Sequence, residues 1–145
     1  MFRKLLLFVI VLSFLSCQQR SCQPLAGRFS GSLFSGVWLA QDRWTMETAK
    51  NELQQYPCVL SYDNGYICIY NFELAGDDQF LRLKADTFST CLEVPAQTLT
   101  TENKALNISQ GWGEWNNNEM ILEYRIDGVE RRIVRLSRVL QITNN

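Results

Sequence analysis

Apolar residues fall along this chain in two different patterns. The first is unbroken: Leu5 to Leu15 is interrupted only by Ser13 and follows Met1-Phe2-Arg3-Lys4. Such a run is too short for a bilayer span, which needs about 20 residues. Two cations, a short apolar stretch and then Ser16-Cys17 predict an export signal. The second pattern, from Leu33 onward, is dominated by alternation. Ser35-Gly36-Val37-Trp38-Leu39 begins a strand, and Cys58–Tyr62 and Tyr66–Phe72 flank Asp63-Asn64-Gly65, a turn whose Asn and Gly accept positive φ. Gly76-Asp77-Asp78 breaks the chain before Phe80-Leu81-Arg82-Leu83-Lys84. Ala85-Asp86 lets it turn into Phe88–Val94, which Pro95 ends. Ala105–Glu114 is a further strand whose Gly111 and Gly113 predict a bulge or a close contact, and Asn116-Asn117-Asn118 is a turn. One stretch departs from alternation. In Thr45–Gln55, Met46, Ala49 and Leu53 recur at helical spacing and Thr45 can cap the start, which predicts a short helix.

The last hairpin has the sharpest pattern. Met120, Leu122, Tyr124 and Ile126 alternate with Ile121, Glu123 and Arg125, and Asp127-Gly128 reads as a two-residue turn. That turn pairs Ile126 with Val129, Arg125 with Glu130 and Glu123 with Arg132, bringing opposite charges together on one face. It also sets Arg131 and Arg135 on the face of Leu122 and Tyr124, looking inward. A charge facing an apolar interior is costly unless paired, so these arginines become candidates for a ligand carboxylate or phosphate. A bulge after Val129, turning one or both outward, is the competing reading. About eight short strands joined by tight turns predict an all-β, mainly antiparallel meander. A sheet of that length must close, giving a small up-and-down barrel with one short helix.

Composition narrows the function. The chain has no histidine, which removes Ser-His-Asp and Cys-His nucleophile pairs, a histidine general base and the usual catalytic zinc site. The reading is therefore a non-enzyme, with no catalytic residues, cofactor or metal, and an enzyme working through carboxylates or lysine ranks behind it; Asp77-Asp78 lacks the alternating acidic spacing of a calcium loop. Loss of residues 1–17 takes Arg3 and Lys4 with it and moves the formal charge from −1 to −3, so no basic footprint for nucleic acid remains. Beyond Cys17, four cysteines (Cys22, Cys58, Cys68 and Cys91) allow three full pairings, a bridge across the Cys58–Cys68 hairpin among them, or buried free thiols. Trp112 and Trp115 could join Tyr62 and Tyr66 in an aromatic rim for a sugar or lipid headgroup if the strand ends meet.

Two resemblances add to this. Phe14-Leu15-Ser16-Cys17 resembles the lipobox of bacterial lipoproteins, in which the cysteine carries fatty chains such as palmitate and becomes the first mature residue. It implies a signal peptide over 1–16, a lipidated Cys17 and a membrane partner. Residues 18–32, polar and carrying Pro24, Gly27 and Gly31, then read as a flexible tether, ahead of a barrel domain over 33–145. Gln18-Gln19-Arg20-Ser21 has neither the inner-membrane-retention Asp nor an acidic surface-export cluster, which implies the periplasmic face of the outer membrane. Gly36-Val37-Trp38 and Arg135-Leu136-Ser137-Arg138-Val139 resemble the two end signatures of the lipocalin/calycin superfamily. The segments at Ile69–Phe72, Leu92–Gln97, Gly111–Gly113 and Met120–Tyr124 resemble small lipocalin-like lipoproteins of Bacteroidota. The likeness implies that Trp38 packs under Arg138, or Arg135, to close the barrel base. It also implies a binding lipoprotein that holds a small apolar or amphipathic ligand in the barrel; the hairpin register and the aromatic residues, apart from the likeness, make Arg131, Arg135, Tyr124 and Trp112 the ligand-facing set. The alternative is a filled barrel that docks onto an envelope protein.

Overall fold

Among the described residues the alternation is realised as ten strands. The computed structural model describes residues 22–44, 54–102 and 104–139, and of 42–44 the backbone alone. The strands are β1 (Gly36–Trp44), β2 (Gln54–Asp63), β3 (Tyr66–Tyr70), β4 (Phe80–Ala85), β5 (Cys91–Val94), β6 (Gln97–Thr100), β7 (Ala105–Ile108), β8 (Gly111–Trp115), β9 (Glu119–Ile126) and β10 (Glu130–Arg138). All pair antiparallel, in the order β10-β1-β2-β3-β4-β5-β8-β9-β7-β6, and β10 also pairs with β9, which closes the ring. Register carries on unchanged from Cys91↔Glu114 to Gln97↔Ile108, so β5 with β6, and β7 with β8, are two kinked strands. The result is an eight-stranded up-and-down barrel.

The kinks have local causes. Pro95 cannot donate to the ladder. There the Gln97 side chain substitutes for backbone, accepting from Arg82 N at 2.8 Å and donating to Arg82 O at 2.9 Å. On the other strand the pairing with β9 slips by one residue between Ile108↔Ile126 and Trp112↔Glu123, a bulge near Gly111. Gly113 lies so close to β9 that a Cβ there would sit 2.6 Å from Ile121 O, which accounts for the glycine.

Inward positions are apolar and outward ones polar, the reverse of a membrane-spanning barrel. Trp38, Phe34, Phe72, Leu60, Ile67, Ile69, Leu81, Leu83, Leu122 and Leu136 have almost no accessible surface, so side chains fill the interior. At one end, the base, a 3-10 turn at Gly31–Phe34 inserts Phe34 against Trp115, 4.7 Å between ring centroids, and Trp38 Nε1 donates to Phe34 O at 3.0 Å. The Arg138 guanidinium lies 4.9 Å from the centre of the Trp38 ring, its register neighbour across β1 and β10, and Arg138 Nη1 donates to Ser35 O at 3.4 Å.

Three expectations are corrected. Residues 22–32 are not a free tether but a strap on the barrel. Cys22 is disulfide-bonded to Cys91, Pro24 bridges Ser89, Leu25 N donates to Phe88 O at 3.0 Å, and Phe29 packs on Phe34 and Tyr62. That part of the stretch is polar, but its two large apolar side chains and one cysteine suffice to dock it. Cys58 and Cys68 do not bridge their hairpin: Cys58 shares the inward face with Leu60, whereas Cys68 opposes Arg82 on the outer face, and both are buried and outside any disulfide. Of the helix expected over Thr45–Gln55, Gln54 and Gln55 belong to β2, and 45–53 lie outside the described residues. The Asn64-Gly65 turn forms with both residues at positive φ and Asp63 opposite Tyr66, as the sequence predicts.

Candidate functional site

The end opposite the base, the mouth, is organised by one bulge. Asp127 and Gly128 both have positive φ and Val129 N donates to Ile126 O at 3.1 Å, so the two-residue turn forms. Pairing then resumes at Ile126↔Glu130 rather than Ile126↔Val129, leaving Val129 over and 72% exposed. A one-residue slip turns every following side chain to the other face. Arg131 and Arg135 therefore point outward, as the competing reading of a bulge after Val129 has it and not into the interior, and Arg132, expected outside against Glu123, points in. Arg131 bonds Glu123 at 2.7 Å, and that bond with its charge pushes the guanidinium pKa further up. Arg135 pairs with Glu119 at 3.3 Å.

Arg132 is 2% exposed at the top of an apolar interior, where an uncompensated charge would be prohibitive. Its Nε donates to Glu130, and its Nη1 donates to Glu73 Oε2 at 3.1 Å. The Tyr124 hydroxyl donates to the other oxygen of Glu73, and Tyr56 Oη accepts from Glu73 N at 3.1 Å. Arginine suits this place because its fork of donors can serve two carboxylates at once.

Glu73 reaches the cluster because the β3–β4 loop folds back into the mouth. Asn71, Glu73 and Leu74 all adopt left-handed φ (58°, 54° and 59°), a conformation that costs non-glycine residues energy and persists only when contacts enforce it. Here the contacts are explicit. Asn71 Nδ2 donates to Pro57 O at 2.9 Å, Asn71 Oδ1 accepts from Gly76 N at 3.3 Å, and Phe72 is buried with its ring 5.7 Å from that of Tyr124. Above the cluster lies an open recess of about 330 Å³, whose walls include Gln54, Leu74, Thr101, Lys104, Glu73 and Arg132. It joins aliphatic wall to charges of both signs, a surface suited to a small amphipathic or polar ligand.

Of the residues singled out in the sequence, Tyr124 lies in this cluster. Arg131, Arg135 and Trp112 do not: Trp112 lies on the outer face of β8, half-buried between Glu93 and Glu123, the registers opposite it. Trp115 points the other way, into the base, so no rim of Trp112, Trp115, Tyr62 and Tyr66 assembles. Cys17 lies outside the described residues. Sequence reasoning missed Arg132 and Glu73. The extra Val129 was the available signal for the first; nothing in the pattern around Phe72-Glu73-Leu74 announced an inward loop. Among the described residues no three metal-ligating side chains converge, and no helix is long and apolar enough to cross a membrane.

Comparison with protein-family models, curated proteins and solved structures gave no match for this chain. Function must therefore be argued from the barrel and its two ends.

Proposed function

We propose that this protein is a calycin-like lipoprotein of the bacterial cell envelope, anchored through Cys17, and that it works as a solid interaction module rather than as a carrier that encloses a ligand. The observation that supports this is the filled interior. An eight-stranded barrel can be filled by its own side chains or hold one small ligand, so the packing of the interior decides. Here Trp38, Phe34, Phe72, Tyr124 and leucines and isoleucines such as Leu60, Ile67, Leu81 and Leu122 occupy it with almost no accessible surface. A fatty chain would have to expel them.

The recess over Arg132 and Glu73 supports a second reading, in which a small amphipathic molecule binds at the mouth. Native mass spectrometry of the purified protein with a fluorescent fatty-acid titration separates the two. The interaction reading expects no co-purified lipid, no saturable probe binding, and a specific cross-linked envelope protein in the host. A stoichiometric ligand released only on unfolding would overturn it. Saturable binding abolished by Arg132→Met, with the fold intact, would establish the mouth site instead.

A further inference from the structure

We infer that the barrel stands base-first on the membrane that holds it, with Phe88 seated in the lipid interface and the Arg132–Glu73 mouth facing away. The inference rests on the lipid anchor at Cys17 proposed above. It follows from where the chain leaves the fold. Cys22 is fixed by its disulfide to Cys91, the first residue of β5, and β5 begins at the base. Only residues 18–21 separate Cys22 from Cys17, and five residue steps reach at most about 18 Å. The nine-residue β10, at about 3.3 Å per residue and a barrel tilt near 40°, sets a height of roughly 23 Å from base to mouth. The tether is shorter than the barrel. A mouth-first posture is out of its reach, whereas a base-first one needs little of it.

The second observation is what stands beside the exit. Phe88 is 83% exposed, and its carbonyl accepts from Leu25 N in the strap. A bare phenyl ring is a poor solvent-facing group and a good interfacial one. Leu33 and Val139 are also exposed at the base. The polar turns at Asn64-Gly65 and Asn116–Asn118 share that end, which suits the headgroup layer and sets the contact there rather than in the acyl core. Val129 is a fair control, being nearly as exposed as Phe88 but at the mouth.

The experiment uses the full lipidated chain in phosphatidylethanolamine/phosphatidylglycerol vesicles, with and without bromine on the acyl chains. Phe88→Trp and Val129→Trp each add one indole to the native background. The inference expects extra quenching by brominated lipid for Phe88→Trp and none for Val129→Trp. Quenching at Val129, or at neither site, in protein that floats with the vesicles overturns the orientation and leaves the anchor standing. If the wild-type chain fails to float, or floats no better than Cys17→Ala, the anchor falls and this inference with it. Capture of Phe88 by a protein cross-link in place of lipid also overturns it.

Discussion

Arg132→Met should be among the most damaging single substitutions in this protein. The Arg132 side chain is 2% exposed and that of Glu73 7%, with 3.1 Å between Nη1 and Oε2, and Glu130 sits on the other side of the guanidinium. Unit charges about 4 Å apart attract by about 4 kcal/mol at an effective dielectric of 20. Methionine fills much of the volume but leaves two carboxylates facing one another in a largely dry site. Breaking a buried pair in this way costs about 3–5 kcal/mol, a large part of the ~5–15 kcal/mol that holds a domain together. With a urea slope of about 1.5 kcal/mol/M, the midpoint should fall by roughly 2 M or more. Glu73→Gln removes one of the two acids and keeps a hydrogen-bonding group near Tyr124, so it should cost less, about 1–2 kcal/mol. The double variant should recover part of the sum, with a coupling of about 1–3 kcal/mol. Equilibrium urea unfolding followed by tryptophan fluorescence measures all three. A loss below 1 kcal/mol for Arg132→Met, or strict additivity, would refute the view of the mouth as one coupled ionic cluster.

Other predictions follow from the strap, the strand contacts and the thiols. Cys22→Ser with Cys91→Ser opens a loop of 69 residues, and the chain-entropy model gives a loss of about 4 kcal/mol, readable as a lowered urea midpoint that dithiothreitol reproduces in the wild type. Gly113→Ala pushes a methyl against Ile121 O and Leu122 Cδ2 and should cost about 1–3 kcal/mol in thermal unfolding, whereas Gly27→Ala meets nothing within 4 Å and should be near neutral. Asp86 accepts from Ser89 Oγ at 2.6 Å and Phe88 N at 2.9 Å, bonds that hold its carboxyl below the usual carboxylate range. The stability they lend is complete above the ordinary value near 3.9 and lost as pH falls through the lower folded value. Asp86→Ala should therefore be weaker than wild type at pH 7 and converge with it in acid; a gap unchanged across an acid titration would exclude this origin. Burial pushes the Cys68 thiol up, against the pull of Arg82, and Cys58 is buried. Neither should take up iodoacetamide at pH 8 until the chain is unfolded, as mass spectrometry can show.

The barrel was legible because period-two burial is written residue by residue. Leu81 and Leu83 against Arg82 and Lys84, or Leu122 and Tyr124 against Glu123 and Arg125, admit one inward face only. The mouth was not, because its chemistry hangs on two non-periodic events. Asp127-Gly128 states a two-residue turn correctly, but whether pairing restarts at Val129 or Glu130 depends on twist and packing beyond the turn. The charge pairs of the unslipped register (Arg125 with Glu130, Glu123 with Arg132) looked equally sound. The inward fold of Glu73 needs three left-handed residues held by Pro57 O, Gly76 and the buried Phe72, contacts that no period-two pattern announces. The strap was misread for a similar reason: local composition describes its polarity, while its docking is decided by Cys91 and by Tyr62, 69 and 33 residues beyond Cys22 and Phe29 respectively.

The two ends of the barrel solve the same closure problem with opposite chemistry, and the contrast bears on function. At the base, Trp38, Phe34 and Trp115 close the end with rings and a single guanidinium laid over an indole, an arrangement that needs no buried counter-charge. At the mouth, Phe72 could have closed the end in the same way, yet the loop that delivers it also carries Glu73 inward to meet Arg132 and Glu130. Buried ion pairs are weak stabilisers, since well-packed apolar groups of similar volume often do as well or better. Closure alone therefore does not call for three charges there. They leave the mouth with a recess that presents fixed charges of both signs, which is the chemistry the ring-closed base lacks among the described residues.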